Sequence, residues 1–133
     1  AKALAFIGKP FDPASETFES SFSTSRARFD YYEQKRIHNA HLQNSAPTYG
    51  WVKEAVGVTK VLLDKELDRQ IETPLLLCQA SRDTVVCLPE QNRFVSLLPH
   101  AQLRAFDAKH EIYMSTNDIM REYVPTVIEF LRG

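Results

Sequence analysis

The stretch that most restricts the fold of this chain is Thr73 to Ile112, where two short apolar runs each lead into a chemically capable residue. Pro74 to Ala80 is a short apolar run led by its proline, the mark of a buried parallel strand. Ser81-Arg82-Asp83 comes next, which places Asp83 on the loop just past the strand's carboxyl end. Pro89 suits the first turn of a helix, with Phe94, Val95, Leu97 and Leu98 as its apolar face. Gln102 to Phe106 then reads as a second strand, and Asp107-Ala108-Lys109-His110 puts His110 on the equivalent loop, one strand over. Open α/β sheets hold their chemistry at that edge. A carboxylate and an imidazole on neighbouring loops there can hydrogen-bond, the carboxylate fixing the tautomer and stabilising the imidazolium formed during general-base catalysis. Each residue alone has a plainer reading, Asp83 as a turn cap and His110 as a surface histidine; their joint placement makes them the catalytic candidates. Glu111 is a poorer partner because a sequence neighbour of His110 tends to point elsewhere. Asp107 and Asp64 are the remaining acidic candidates.

Five strings carry a family resemblance: TSRARFDYY, APTYGWVKEA, TPLLLCQASRDTVV with Asp83, QNRF, and KHEI with His110. In this order and spacing the chain resembles the carboxyl-terminal part of an α/β-hydrolase, in the branch containing lysophospholipase L2 and the monoacylglycerol lipases. The resemblance implies parallel strands with flanking helices, preceded by helical cap segments. Residues 1–70 would form the cap and 71–133 the carboxyl-terminal βαβα part of the core. It also implies that Asp83 and His110 are the acid and base of a Ser-Asp-His triad for ester hydrolysis, with a lysophospholipid or monoacylglycerol as substrate. Cys87-Leu88 and the run from Tyr113 to Asp118 depart from the family's usual residues, which touches substrate preference rather than the triad positions.

That apparatus also needs a serine on a G-x-S-x-G turn, and the four glycines, Gly8, Gly50, Gly57 and Gly133, make no such motif. In α/β-hydrolases the serine precedes the acid and the histidine. A carboxyl-terminal piece therefore keeps the last two members and loses the first. The length of 133 residues, short for a complete hydrolase, agrees with this. The rival expectation is a non-catalytic α/β module that binds a protein partner through the Phe-containing segment Ser15 to Phe22.

Elsewhere the chain reads as scaffold and cover. Ala1 to Gly8 is a brief apolar piece, and Lys9 to Ser25 is aperiodic and rich in Ser, Thr, Pro and Phe, the mark of an irregular surface or cap segment. Ser23 to Ser25 offer N-caps for a helix reaching Ile37, with Phe29 and Tyr32 on its covering face. His38 and His41 have a spacing that can bind metal but lack a third ligand, so they read as solvated or capping residues. A second helix, Tyr49 to Leu67, carries Trp51, Ala55, Val58 and Leu62 on one stripe; Gly57 within it suggests a close approach. These two helices either form a lid over an acyl cleft or simply cover the sheet. The last helix, Asn117 to Leu131, has an apolar stripe, a potential capping box at Ser115-x-x-Asp118, and Pro125, which should kink or divide it.

Charge narrows the partners. A net charge of -1 with pI near 6.5 leaves no basic footprint for nucleic acid. No apolar run approaches the roughly 20 residues of a membrane-spanning helix. Two cysteines, Cys78 mid-strand and Cys87 in a loop, make neither a disulfide framework nor a zinc site and fit a reducing compartment. No cofactor or metal is implied. The expected setting is cytoplasmic, with peripheral contact at the inner membrane. The Leu75-Leu76-Leu77 edge has no Lys or bulge to discourage pairing, so it could join a second copy into a homo-oligomer.

Overall fold

In the computed structural model, which describes residues 11–43, 47–62 and 70–133, the two apolar runs form parallel strands. Strand β1 (Leu75–Ala80) pairs with β2 (Ala101–Phe106) in register from Leu75 opposite Ala101 to Ala80 opposite Phe106. Parallel neighbours need a crossover connection, and helix α3 (Leu88–Ser96), with Pro89 in its first turn, supplies it. The buried side chain of Gln79 ties that helix to the sheet: its Nε2 donates to Gln91 Oε1 and Asn92 Oδ1, both at 3.0 Å. A polar group at such a position is tolerable only with partners of this kind. Beyond the last strand residues the ladder continues, Ser81 N–H donating to Phe106 O and Arg82 N–H to Ala108 O. The two loops that follow the strands are thereby held side by side.

The core sits beneath those loops. Ala80, Phe106, Ala108 and Ile112 are buried together, with Cys78, Ile119 and Tyr123 packed against them. Phe106 meets Tyr123 edge-on at 5.4 Å, which docks helix α4 (Asn117–Arg132) on the strand ends. Pro125 lies inside α4 without dividing it. The anticipated capping box does not form. Thr116 is the N-cap and makes no side-chain cap bond, Asp118 turns to Arg121, and the Ser115 hydroxyl is buried without a partner. The Ser115 backbone is committed elsewhere, its carbonyl taking a bond from Arg28.

Helix α1 (Arg26–Ile37) starts at the predicted place because the Ser25 hydroxyl accepts the Arg28 N–H. Phe29 is buried. Just before it, the Ser23 hydroxyl and the N–H groups of Thr24 and Ser25 all donate to Met114 O, at 2.7, 3.2 and 3.1 Å. Arg28 adds bonds to Ser115 O and Asn117 Oδ1. The start of α1 is thus fastened to the segment that follows His110. Residues 11–25 are irregular, as anticipated.

Helix α2 (Tyr49–Leu62) has no buried residue, and Trp51 is 64% exposed. Along its apolar stripe Trp51 and Val58 are exposed, while Ala55 and Leu62 are half-buried. The expectation of a close approach at Gly57 fails, since a Cβ there would meet nothing within 4 Å; this glycine marks no packing contact among the described residues. The expected continuation to Leu67, the apolar piece from Ala1 to Gly8, and Asp64 lie outside the described residues.

Candidate active site

Asp83 closes the turn after β1, its N–H donating to Ala80 O at 3.1 Å. Its side chain is 4% exposed, so each carboxylate oxygen needs a partner. Oδ1 accepts the N–H groups of Val85 and Val86 at 2.7 and 3.2 Å. This local turn fixes the rotamer and leaves Oδ2 facing the next loop, where it meets His110 Nδ1 at 2.8 Å. An ionised carboxylate only accepts, so Nδ1 carries the proton and Nε2 is left as the basic nitrogen. Burial, the largest single influence, raises the Asp83 pKa. The hydrogen bond from His110, those from Val85 and Val86, and the positive charge His110 can carry together outweigh it and hold the carboxyl below its ordinary value.

His110 is positioned from three sides. Ala108, fully buried, pins the loop; Lys109 Nζ donates to Ser21 O at 2.8 Å; and Phe22 packs edge-on against the imidazole at 5.6 Å. The imidazole keeps 37% exposure, with Nε2 on the side away from Asp83. An oriented, accessible base of this kind can take a proton from a hydroxyl and return it to a leaving group. No described serine hydroxyl bonds to Nε2.

The other acidic candidates separate cleanly. Asp107 is bound to Arg82, Oδ1 at 2.7 Å from Nε, while its carbonyl accepts from Arg82 Nη2 at 2.9 Å. It is occupied on the outer side of the loop. Glu111 stands beside the Tyr113 hydroxyl. Histidine 38 caps α1, its Nδ1 lying 2.7 Å from Gln34 O, and among the described residues no group of three or more His, Cys, Asp or Glu could hold a metal. Cys78 and Cys87 are both free thiols. Phe22 and Lys109 were not foreseen as site residues. Their signal is weak in sequence, because both act through a segment with no periodicity. Phe18 of the same segment packs against Phe29 at 5.8 Å, while Phe22 keeps 41% exposure. A larger hollow of about 750 Å³ between the sheet and α4 includes neither Asp83 nor His110.

Two parallel strands joined by a crossover helix, with helices packed beside them, form part of an α/β-hydrolase fold. The solved structure of a soluble variant of monoglyceride lipase from Saccharomyces cerevisiae, in complex with a substrate analog, superimposes on 89% of this chain with a TM-score of 0.68 at 9% identity. In sequence, the chain is 24% identical over 107 residues to a Haemophilus influenzae protein named probable lysophospholipase L2. That alignment takes in 80% of this chain, which spans 34% of the curated relative and 42% of the solved one. No family model matches. The chain thus resembles part of a lysophospholipase- or monoglyceride-lipase-like hydrolase, and both relatives are carboxylic ester hydrolases by name.

Proposed function

We propose that this chain contributes the acid and the base of a serine hydrolase of the lysophospholipase or monoacylglycerol lipase type, with Asp83 and His110 as catalytic residues. The bond between Asp83 Oδ2 and His110 Nδ1, 2.8 Å long and backed by two amides on Oδ1, carries this reading. In the intact protein a serine outside these 133 residues attacks the ester carbonyl as His110 Nε2 removes its proton. Asp83, still ionised, stabilises the imidazolium. The imidazolium then protonates the departing alcohol, and a water activated by the same nitrogen hydrolyses the acyl-enzyme. Backbone amides near that serine supply the oxyanion donors.

Residues 1–70 act as cap in this reading and 71–133 as core. The fastening of Ser23, Ser25 and Arg28 to Met114, Ser115 and Asn117 supports a cap held close to the histidine loop. Among the described residues no helix is long and apolar enough to cross a membrane. The expected setting is the cytoplasm, with peripheral contact where lipid substrates reside.

A fluorophosphonate probe, which reacts only with activated serines, tests the assignment. The 133-residue chain is expected to stay unlabelled and inactive on a short-chain nitrophenyl ester, and the intact parent to be labelled and active. His110→Ala should remove both signals from the parent, leaving at most the small residual rate of a broken triad. Labelling of the 133-residue chain, or a parent indifferent to His110→Ala, would overturn the proposal.

A further inference from the structure

Consecutive residues ahead of α1 straddle the histidine loop. Ser21 O accepts from Lys109 Nζ at 2.8 Å, just before His110. The Phe22 ring meets the imidazole itself, centroids 5.6 Å apart and planes at 70°. The Ser23 hydroxyl, 1% exposed, donates to Met114 O at 2.7 Å, just after the histidine. We infer that Phe22 is a positioning residue for the base: Asp83 decides which imidazole nitrogen is basic, and Phe22 decides where that nitrogen points. This rests on the hydrolase reading and adds to its site a residue from the segment read as cap.

The need for a second constraint follows from the geometry of the first. A histidine side chain turns about its Cα–Cβ bond and about the bond to the ring, and the second torsion is broad rather than confined to narrow wells. The hydrogen bond between Nδ1 and Asp83 Oδ2 fixes one ring atom. It leaves the ring able to rock about that atom, and Nε2, on the far side, travels furthest. The imidazole keeps 37% exposure, so the protein does not enclose it. Among the described residues the aromatic ring that meets it is Phe22, in the near-perpendicular arrangement that aromatic pairs prefer. Phe22 is itself 41% exposed, so this contact is not a by-product of filling a core.

One ring can hold another in place only if its own backbone is held. Ser21 and Ser23, on either side of Phe22, are both tied to the loop that carries His110, across 88 and 91 residues of sequence. The N–H groups of Thr24 and Ser25 add bonds to Met114 O, and Phe18 anchors the preceding stretch on Phe29. The Phe22 ring therefore stands on a support that is registered to the histidine, and a shift of this segment is passed to Nε2. Misplacing a reacting group by about 1 Å can cost about 10²-fold in rate. With Asp83 still holding Nδ1, losing the Phe22 ring should cost less than that.

Two measurements test this, the kinetics of the intact parent on nitrophenyl acetate and NMR of His110 in the 133-residue chain. In the parent, Phe22→Leu should lower kcat about tenfold with KM within about twofold, and Phe22→Tyr, which keeps the ring, should retain the full rate. In the 133-residue chain, Phe22→Leu should leave the proton on Nδ1, because Asp83 is untouched, while the side-chain couplings of His110 change from those of one rotamer to an average. Lys109→Met, which releases Ser21 O, should produce both effects in weaker form. Phe18→Leu loosens the same segment at a ring that meets Phe29 and not His110, so it should lower the Tm and leave kcat and the His110 couplings alone. A raised KM at constant kcat would make Phe22 a wall of the substrate cleft and overturn the inference. An equal kcat loss from Phe18→Leu would reduce the effect to general softening and overturn it too, as would His110 couplings that Phe22→Leu leaves unchanged. A parent indifferent to His110→Ala, with His110 still averaging in Phe22→Leu, would sink the hydrolase reading and leave the positioning of the imidazole standing.

Discussion

Asp83→Asn is the sharpest perturbation of the candidate site because it changes charge and donor pattern while keeping shape. The Asn carbonyl oxygen can still accept from Val85 and Val86, which hold Oδ1 at 2.7 and 3.2 Å. Its NH₂ then faces His110, where a donor meets a donor unless the proton moves from Nδ1 to Nε2. A hydrogen bond to a charged group stabilises by about 1.5–3 kcal/mol and a neutral one by about 0.5–1.5 kcal/mol. His110 is 37% exposed, so solvent screens part of the difference and a loss of about 1 kcal/mol is expected. For a chain of this length that lowers the Tm by roughly 3–5 °C at neutral pH. The pH dependence has a definite sign. The folded-state pKa of Asp83 lies below its ordinary value of 3.8, so the carboxylate's contribution is complete above that value and disappears as pH falls through the lower folded one. Circular-dichroism melts should therefore show the gap between wild type and variant at pH 7 and its closure in strong acid. Nitrogen-15 NMR of the imidazole should show the proton on Nδ1 in the wild type and on Nε2 in the variant. In the intact parent the same substitution should cost about 10⁴-fold in kcat, because the basic nitrogen is lost. A variant that melts like the wild type at pH 7, or keeps its proton on Nδ1, would refute the account of how Asp83 orients His110.

Ser23→Ala removes one of three donors from Met114 O and should destabilise by about 1 kcal/mol, read as a lower denaturant midpoint; an unchanged midpoint would mean that the two backbone donors suffice to fasten α1. Tyr113, one of five tyrosines, has its pKa raised to about 12 by burial first and by Glu111 second, so absorbance at 295 nm should show one late-titrating phenol that Tyr113→Phe eliminates. The stability linked to that phenol is present below pH 10 and falls as pH rises toward about 12. The edge of β1 away from β2 is paired by no described strand, so light scattering is expected to show concentration-dependent dimers that Leu77→Lys suppresses; a monomer across the micromolar range would refute strand pairing.

How much of this was legible in sequence depended on whether a feature answers to local rules. Strand β1 announces itself through Pro74 and the Leu run and falls within a residue of expectation, and Pro89 marks the start of helix α3, which ends at Ser96, before the Leu97 and Leu98 expected on its apolar face. The Ser25 cap fixes the start of α1 in the same local way. The meeting of Asp83 and His110 is longer-range, yet it follows from two strand ends once the strands are in parallel register, because Ala80 opposite Phe106 leaves both loops at one edge. By contrast, Ser115-x-x-Asp118 satisfies the capping pattern and still fails. The Ser115 carbonyl is taken by Arg28, 87 residues away, and the hydroxyl follows its backbone into the core. No window centred on α4 contains that information.

Helix α2 shows why an amphipathic pattern alone does not name its partner. Trp51, Val58 and Val61 are 64%, 52% and 63% exposed, yet apolar surface of this kind is stabilised only when something removes it from water. Periodicity predicted the helix and could not say what covers it. Gly57, which looked like the mark of a close approach, touches nothing described, and Trp51, Val58 and Val61 are left exposed among the described residues. If the chain completes a larger hydrolase, the missing cover and the missing serine share one origin, the remainder of the fold. The two losses should then be repaired together: restoring the parent sequence is expected to quench and blue-shift Trp51 emission in the same step that restores ester hydrolysis. A parent in which activity returns while Trp51 emits as a fully hydrated indole would separate them and remove the stripe of α2 from the cap's packed surface.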